Sequence, residues 1–414
     1  MFFYKFKNKI LITKNEFTEF ERISEKEAKS DKGILFVLTG IEPLKSRRHF
    51  CIADSSLFFL ENESIQLLGR VERSKRNLPL WLEKRISEKK LVSLNKNYPS
   101  WKEVLTARIP KQWRIHIVGL GDVGGILLVG LRLLGGKDIE SIGIFDRNSK
   151  AVTRWLFETN QILAPFRSKQ FPHVYPVSEE HLFNCDMFVF CATVGVPSIG
   201  QEKEDVRMSQ FRGNSKIISE YARKAREKSF KGIFAVVSDP VDLLCKKVFL
   251  ESNTANDRSL DFTGLASEQI RGYGLGVMNA RAIYYAGKSS ETASYIHEGR
   301  AYGPHGKGLI IANSIKNYNK QISEKLTNQV LGANLEVRKT GYKPYVAPAL
   351  SSGSFSILAT IRGQWHYSAT FLGGEFMGAK NRMLRTGIEL ERLNITPTLM
   401  EKINTTYREL NTLL

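Results

Sequence analysis

The sequence predicts an α/β protein built on a doubly wound parallel sheet, and three observations support this prediction. A buried-strand pattern over residues 115–118 runs directly into a glycine-rich turn and then into an amphipathic run. Further apolar segments of strand length lie at residues 142–145, 187–192 and 233–237. Between the last two, residues 208–228 form a polar segment whose apolar positions are spaced for one face of a helix. Apolar strands that alternate with helices are typical of a parallel sheet with helices on both faces.

The glycine-rich turn is the most informative motif of the chain. It reads Gly-Leu-Gly-Asp-Val-Gly from Gly119 to Gly124. Gly119 permits a tight turn, Gly121 lets the backbone approach a pyrophosphate, and Gly124 allows close packing of strand and helix. The amide groups at the start of the helix, those of Asp122 and Val123 included, are placed to hold the phosphates.

An acidic residue ends the strand that follows the turn. Asp146 is placed to hydrogen-bond the adenosine ribose hydroxyls, and its carboxylate would repel a 2′-phosphate. Arg147, immediately after it, could attract a 2′-phosphate and so reduce the preference for NAD over NADP. The motif therefore predicts a Rossmann-type dinucleotide site for NAD, with NADP less favoured; the alternative is a glycine-rich turn in some other α/β fold.

Bulk properties exclude several classes of protein. A chain of 414 residues suggests two or three domains. No apolar run is long enough to cross a bilayer, and the first residues lack the apolar stretch of a secretory signal. The four cysteines have neither metal-ligand spacing nor a disulfide framework, and buried thiols are the expectation for Cys185 and Cys191. We expect a cytoplasmic protein without a metal site.

The charge balance is strongly basic, with 61 Lys and Arg against 42 Asp and Glu, a formal net charge of +19. Such a charge can mark an anionic partner. The lysines are spread through the chain, however, without a basic block or an aromatic-interleaved stripe. A solvated lysine-rich surface is the favoured interpretation, so we expect neither a nucleic-acid partner nor a membrane partner.

Three regions divide the chain. Residues 1–110 hold strand-like pieces and charged segments, as in a small α+β N-terminal domain. Residues 111–262 form the dinucleotide-binding domain, and residues 263–414 mix glycine-rich turns, strands and helices, as in an α+β substrate domain. Within the first region the strand-like pieces are Lys9–Thr13, Gly33–Leu38, Ser56–Leu60 and Ile65–Leu68, and the charged stretch between Ser74 and Lys96 is predicted as the linker.

Four landmarks follow the glycine turn. They are Thr193-Val-Gly-Val-Pro197, Arg207 with Asn214 seven positions later, Val236-Val-Ser-Asp-Pro-Val-Asp242 and Tyr302-Gly-Pro-His-Gly306. Across residues 114 to about 395, their order resembles that of the lactate and malate dehydrogenase family. The first 110 residues have no counterpart in that family.

The resemblance implies an NAD-dependent oxidoreductase that transfers a hydride between nicotinamide and a 2-hydroxy or 2-keto acid. It implies that His305 passes the proton to or from the substrate oxygen and that Arg207, on a closing loop, polarises the carbonyl. Arg281 would clamp the carboxylate with its planar guanidinium, and Thr193 would lie at the cofactor. Each catalytic residue also has an ordinary structural interpretation, a loop histidine or a surface ion pair.

Three residues depart from the family pattern. The acid that orients the histidine should lie three positions before the clamp arginine, where this chain has Met278. Asp239 replaces an asparagine, and Pro304 replaces an acid before the histidine. One hypothesis is that Asp239 takes over as the acidic partner, which makes it a candidate catalytic residue. The alternatives are a substrate other than a simple 2-keto acid, or the loss of hydride transfer.

Specificity and partners are less constrained. Gln201 matches a position that is glutamine in lactate enzymes and arginine in malate enzymes, which disfavours a second substrate carboxylate. The leading hypothesis is a homo-oligomer acting on a small-molecule or carrier-borne keto or hydroxy acid, with a possible macromolecular partner docked by the N-terminal module. A catalytically silent dinucleotide-binding regulator is the second hypothesis. An adenylating enzyme of the ubiquitin-activating type is the third, although the zinc-binding Cys-x-x-Cys pairs of that class are absent.

Overall fold

The computed structural model describes residues 1–70, 78–165, 171–194 and 206–413, without the side chains of residues 206–209. The strands are β1 Phe2–Phe6, β2 Lys9–Thr13, β3 Glu21–Ile23, β4 Leu35–Thr39, β5 His49–Cys51, β6 Leu91–Asn95, β7 Trp113–Val118, β8 Ile139–Phe145, β9 His173–Pro176, β10 Met187–Phe190, β11 Ile233–Val236, β12 Ile270–Gly272, β13 Arg300–Tyr302, β14 Ile310–Ala312, β15 His366–Leu372, β16 Glu375–Leu384 and β17 Gly387–Leu390. The helices are α1 Glu25–Ser30, α2 Leu80–Ser87, α3 Asp122–Gly135, α4 Ser149–Asn160, α5 Val206–Glu227, α6 Val241–Ser252, α7 Leu275–Ala286, α8 Tyr295–Glu298, α9 Lys320–Lys339, α10 Phe355–Ile361 and α11 Pro397–Asn411, with a π-helical segment at Pro348–Ser354.

A nine-stranded sheet forms the centre of the molecule, in the order β17-β16-β15-β12-β11-β10-β7-β8-β9. The six strands from β12 to β9 pair in parallel, and β15, β16 and β17 continue the sheet as antiparallel strands. The chain runs outward from β7 through β8 to β9, then returns to the other side of β7 with β10. This reversal confirms the predicted doubly wound fold, and it creates the crevice where such sheets bind ligands.

A second sheet occupies the N-terminal module, in the order β3-β1-β2-β4-β6-β5. Its three central strands are parallel and its outer strands are antiparallel. A capping box between Ser24 and Glu27 starts α1. The module is α+β, as the sequence predicted.

Three local predictions for this module were wrong. Residues 56–60 and 65–68 are not strands but lie in or beside short 3-10 turns, because the side chains of Asp54 and Ser64 accept hydrogen bonds from Ser56 and Gln66 N–H and start a turn. The described part of the charged stretch is not a linker. It contains α2 and β6, and every residue of β6 is buried between β4 and β5.

Buried ion pairs join the module to the central body. Glu268 accepts hydrogen bonds from Nε of Arg48 at 3.0 Å and from the Arg48 N–H at 3.1 Å, and lies 2.8 Å from Nδ1 of His49. Burial alone would raise the pKa of Glu268, but Arg48 and His49 lower it to about 2. At the far edge, Arg392 lies 3.2 Å from Asp54. The module is therefore fixed to the body by charges withdrawn from water.

The last region of the chain contributes strands both to the central sheet and to a separate two-stranded sheet, β13-β14. β15, β16 and β17 complete the central sheet, α7 and α10 pack on it, and α9 packs on α7 and β14. The boundaries at 110/111 and 262/263 stay predictions. The four cysteines are buried and free, as expected for Cys185 and Cys191, and no helix among the described residues has the length and apolarity to cross a membrane.

Candidate active site

The glycine turn between β7 and α3 has the geometry that its sequence predicts. Gly119 has φ +91°, and a Cβ there would lie 2.5 Å from the Ala192 nitrogen. A Cβ on Gly124 would lie 1.9 Å from the Gly119 oxygen, so strand and helix approach through hydrogen atoms alone. A Cβ on Gly121, by contrast, would meet nothing within 4 Å. The turn is closed on its protein side and open on the side where a phosphate would approach.

Asp146 fixes this turn from the end of β8. Its Oδ2 accepts a hydrogen bond from Leu120 N–H at 2.7 Å, and its Oδ1 accepts one from Asn148 N–H at 2.8 Å. A carboxylate has about four acceptor positions, so both oxygens can still accept ribose hydroxyls. The second role, supporting the turn itself, was not foreseen in the sequence.

The residues around the turn fit a dinucleotide. Gly121 is the N-cap of α3 and provides no side-chain hydrogen bond to the first helical amides, those of Asp122, Val123 and Gly124. Free amides and the positive end of the helix dipole together favour an anion. The open space beside Gly121 supplies the room, and Thr193 is exposed three residues after the end of β10.

Asn214 ties the ends of two central strands together. Its Oδ1 accepts a hydrogen bond from Val194 N–H at 2.9 Å, and its Nδ2 donates to the Asp239 carbonyl at 2.7 Å. The side chain is fully buried, so both bonds are shielded from water. Asn214 was a landmark in the sequence; the structure gives it this positioning role.

His305 and Asp239 meet at this edge of the sheet. Nδ1 of His305 lies 2.8 Å from Oδ1 of Asp239, and the imidazole is nearly buried while the carboxylate is 41% exposed. The backbone N–H of His305 donates to Oδ2 of Asp242 at 3.3 Å. Burial raises the pKa of Asp242 to about 7, although the His305 N–H opposes that shift. The structure thus brings a carboxylate to the histidine from the segment that the sequence singled out.

Arg281 lies on α7. Its Nη1 donates to the Met278 sulfur at 3.5 Å, and its Nη2 donates to Oδ1 of Asn334 on α9. Burial lowers the pKa of Arg281, and the nearby Tyr285 and Asp239 act in the opposite sense. Sequence reasoning missed Asn334, which no motif marks.

Two predicted site residues fall outside what the structure describes. Arg207 belongs to α5, but its side chain is not among the described atoms, and Gln201 lies in the segment outside the described residues. The other candidates form one continuous region. Gly119 packs on Ala192, whose carbonyl accepts a hydrogen bond from Ser238 at 2.7 Å, immediately before Asp239.

Comparison with known proteins finds similarity to lactate and malate dehydrogenases. Residues 113–261 match the model of the lactate/malate dehydrogenase NAD binding domain. A probable malate dehydrogenase from Campylobacter jejuni is 24% identical over 307 residues, covering 70% of this chain and 95% of that protein. An L-lactate dehydrogenase from Mesomycoplasma hyopneumoniae is 25% identical over 205 residues, covering 49% of this chain and 58% of that protein.

Solved structures agree at the level of the fold. The minor L-lactate dehydrogenase of Enterococcus mundtii has a TM-score of 0.59 at 18% identity, covering 74% of this chain and 99% of that one. The malate dehydrogenase of Archaeoglobus fulgidus, in complex with NADH, has a TM-score of 0.57 at 18% identity, covering 72% and 97%. The matched domain starts at residue 113, after the N-terminal sheet. From residue 113 onward the chain is therefore similar in sequence and fold to lactate and malate dehydrogenases, and an additional N-terminal module precedes that region.

Proposed function

We propose that this chain is an NAD-dependent dehydrogenase that interconverts a 2-keto acid, or a related carbonyl compound, and the corresponding 2-hydroxy compound. The observation that carries the proposal is the contact of 2.8 Å between His305 Nδ1 and Asp239 Oδ1. Met278 removes the family's acidic partner, and this contact supplies a carboxylate from another element.

The proton is handled by the His305–Asp239 pair. With Nδ1 bonded to the carboxylate, the imidazole is held in one orientation, and Nε2 is proposed as the atom that exchanges the proton with the substrate oxygen. In the reductive direction His305 donates a proton to that oxygen, and the imidazole regains it from solvent. Asp239 stabilises the protonated imidazole before the transfer, and Asp242 positions the backbone of His305 through its N–H.

Arg281 is proposed to bind the substrate carboxylate. Arg281 is half-buried, where a charge-assisted, two-point hydrogen bond is stronger than in open solvent. Asn334 accepts from Nη2, and the carboxylate would replace or share that acceptor. Arg207 is proposed as the carbonyl-polarising residue on the ground of the family resemblance alone.

The cofactor is proposed to be NAD rather than NADP. When bound, NADH supplies the hydride to the substrate carbon. The amides of residues 121–124 would hold the diphosphate, and Asp146 would accept the ribose hydroxyls that a 2′-phosphate would replace. Arg147 is engaged with Glu220 at 3.3 Å, which leaves it a weaker competitor for such a phosphate.

Other parts of the hypothesis remain predictions. These are homo-oligomerisation, a cytoplasmic location, a carrier-borne substrate and a macromolecular partner for the N-terminal module. The second hypothesis, a catalytically silent regulator, predicts dinucleotide binding without turnover.

The test is the oxidation of NADH in the presence of a panel of 2-keto acids, followed by absorbance at the nicotinamide band. We expect turnover with at least one member and its loss in His305→Asn. The control is His181→Asn, which alters an exposed histidine whose Nδ1 lies 2.8 Å from the Ser178 hydroxyl. NADH binding with no turnover on any member would support the silent regulator and contradict the dehydrogenase.

A further inference from the structure

A surface ion pair lies at the start of α3, and its lysine, Lys343, is not among the site residues described above. Nζ of Lys343 is 3.1 Å from Oδ2 of Asp122, the first residue of the helix. The two side chains are 80% and 49% exposed. An ion pair this exposed contributes little to folding stability. It nevertheless places an ammonium group beside the turn where the cofactor diphosphate is proposed to bind.

The segment that carries Lys343 is fixed on both sides. It follows α9, and Gly341 reverses the chain there with φ +86°. Tyr345 N–H donates to the Lys343 carbonyl at 3.2 Å, and the following π-helical segment packs on α3, where Ser354 Oγ donates to the Leu127 carbonyl at 3.1 Å. The short connection therefore holds the Lys343 backbone close to the same helix whose N-terminus forms the turn.

The carboxylate of Asp122 and a diphosphate bound at this turn would repel each other unless a cation lay between them. Asp122 is favourable at a helix N-terminus as long as that position holds no other anion. A diphosphate on the neighbouring amides would bring further negative charge close to the Asp122 carboxylate. Lysine is a common ligand of phosphate, and its flexible stem allows the ammonium to move from one anionic oxygen to another.

We infer that Lys343 is a cofactor-binding residue whose ammonium binds the diphosphate of the dinucleotide. In the absence of the dinucleotide, Asp122 holds the ammonium at the turn. On binding, Lys343 transfers from Asp122 to a phosphate oxygen beside the start of α3. This inference rests on the proposed function, because it requires a dinucleotide at the glycine turn.

The test compares Lys343→Ala with Lys339→Ala, using NADH and ADP-ribose as ligands. Lys339 is an equally exposed lysine at the end of α9, paired with Glu336 and with a side chain 71% exposed. Both variants lose one positive charge, so a general effect of net charge is matched. We expect Lys343→Ala to lower the affinity for both ligands by about tenfold, the usual effect of losing one charge-assisted contact. Lys339→Ala should lower these affinities by less than about twofold. Thermal unfolding should be unchanged in both.

A second pair of variants, Asp122→Asn with and without Lys343→Ala, separates direct binding from screening. In an Asp122→Asn background, Lys343→Ala should still lower the affinity for ADP-ribose by about tenfold, because the lysine contacts the phosphate itself. If the loss disappears in that background, Lys343 only screens Asp122 and the inference is overturned. Equal affinities for the Lys343 and Lys339 variants would overturn it as well. Failure of the unaltered chain to bind NADH would instead overturn the proposed function itself.

Discussion

Replacing Asp239 by asparagine should lower kcat by about a hundredfold while the affinity for NADH stays unchanged. Asparagine keeps an oxygen that can accept from Nδ1 of His305, so the substitution removes the charge and little else. The distance to Nδ1 is 2.8 Å, and the carboxylate is 41% exposed, which calls for an effective dielectric constant well above that of a protein interior. At a value of about 40, the interaction with a protonated imidazole is about 3 kcal/mol, equivalent to about a hundredfold in rate.

A second substitution should restore part of the loss. Met278 lies three positions before Arg281, where the family has its acid, and only 3% of Met278 is exposed. The double variant Asp239→Asn, Met278→Asp therefore recreates the family arrangement within this chain. We expect it to recover about tenfold of the lost kcat, since a buried carboxylate beside Arg281 remains charged.

The assay is the initial rate of NADH oxidation with the best 2-keto acid found for the unaltered chain. Asp257→Asn is the matched control, because that aspartate is exposed and bonds to Ser259. Full activity in Asp239→Asn would refute the role given to the carboxylate. A double variant less active than Asp239→Asn would show that Met278 does not occupy the family position in space.

Three further predictions concern binding and stability. Gly121→Ala should fold normally, but its Cβ enters the open space at the turn and should lower the affinity for NADH by at least about tenfold in a fluorescence titration. Gly332→Ala is the control: a Cβ there also meets nothing within 4 Å, and the affinity for NADH should be unchanged. Glu268→Gln should lower the free energy of unfolding by about 3–5 kcal/mol in urea because its buried arginine loses its partner, and Glu103→Gln, in an exposed pair, by less than about 1 kcal/mol. Burial raises the pKa of Asp242 from 3.8 to about 7, so between these pH values the folded state binds a proton that the unfolded chain has released. The free energy of unfolding should therefore fall as pH rises from about 4 to about 7, by at most about 4 kcal/mol. Asp242→Asn should flatten that dependence in a pH series of urea titrations, and an unchanged slope would contradict the shift.

Local patterns were sufficient for the centre of the fold. The strands β7, β8, β10 and β11 are apolar runs bounded by turn residues, and the roles of Gly119 and Gly124 follow from steric needs that act within a few residues. Glycine is required at position 119 because any Cβ there would collide with the backbone of Ala192. Because such requirements fall on residues within the motif itself, they can be recognised in a single sequence.

The N-terminal module was less predictable for an equally physical reason. β6 was hidden in a charged stretch because the lysines and glutamates around it lie at its ends, and its burial depends on β4 and β5, which come from elsewhere in the chain. Asp54 and Ser64 then converted apolar pieces into turns by bonding to nearby N–H groups. Tertiary pairing and side-chain capping, not composition, decided these elements.

The candidate site shows the same division. Met278 alone suggested that the histidine needed another acid, and the position of Asp239 in its motif suggested which one. His305 and Asp239 are separated by 66 residues, so only the fold could bring them into contact. Asn334, which bonds to Arg281 from another helix, had no sequence signal because an amide in the middle of an amphipathic helix is common.

The most direct test of the central claim is the transfer of deuterium from C4-deuterated NADH to a 2-keto acid in a single turnover, with the product examined by mass spectrometry. The account predicts one deuterium at C2 of the 2-hydroxy acid, at a rate reduced by the Asp239→Asn substitution. A chain that binds NADH but gives unlabelled product, or none, would contradict it.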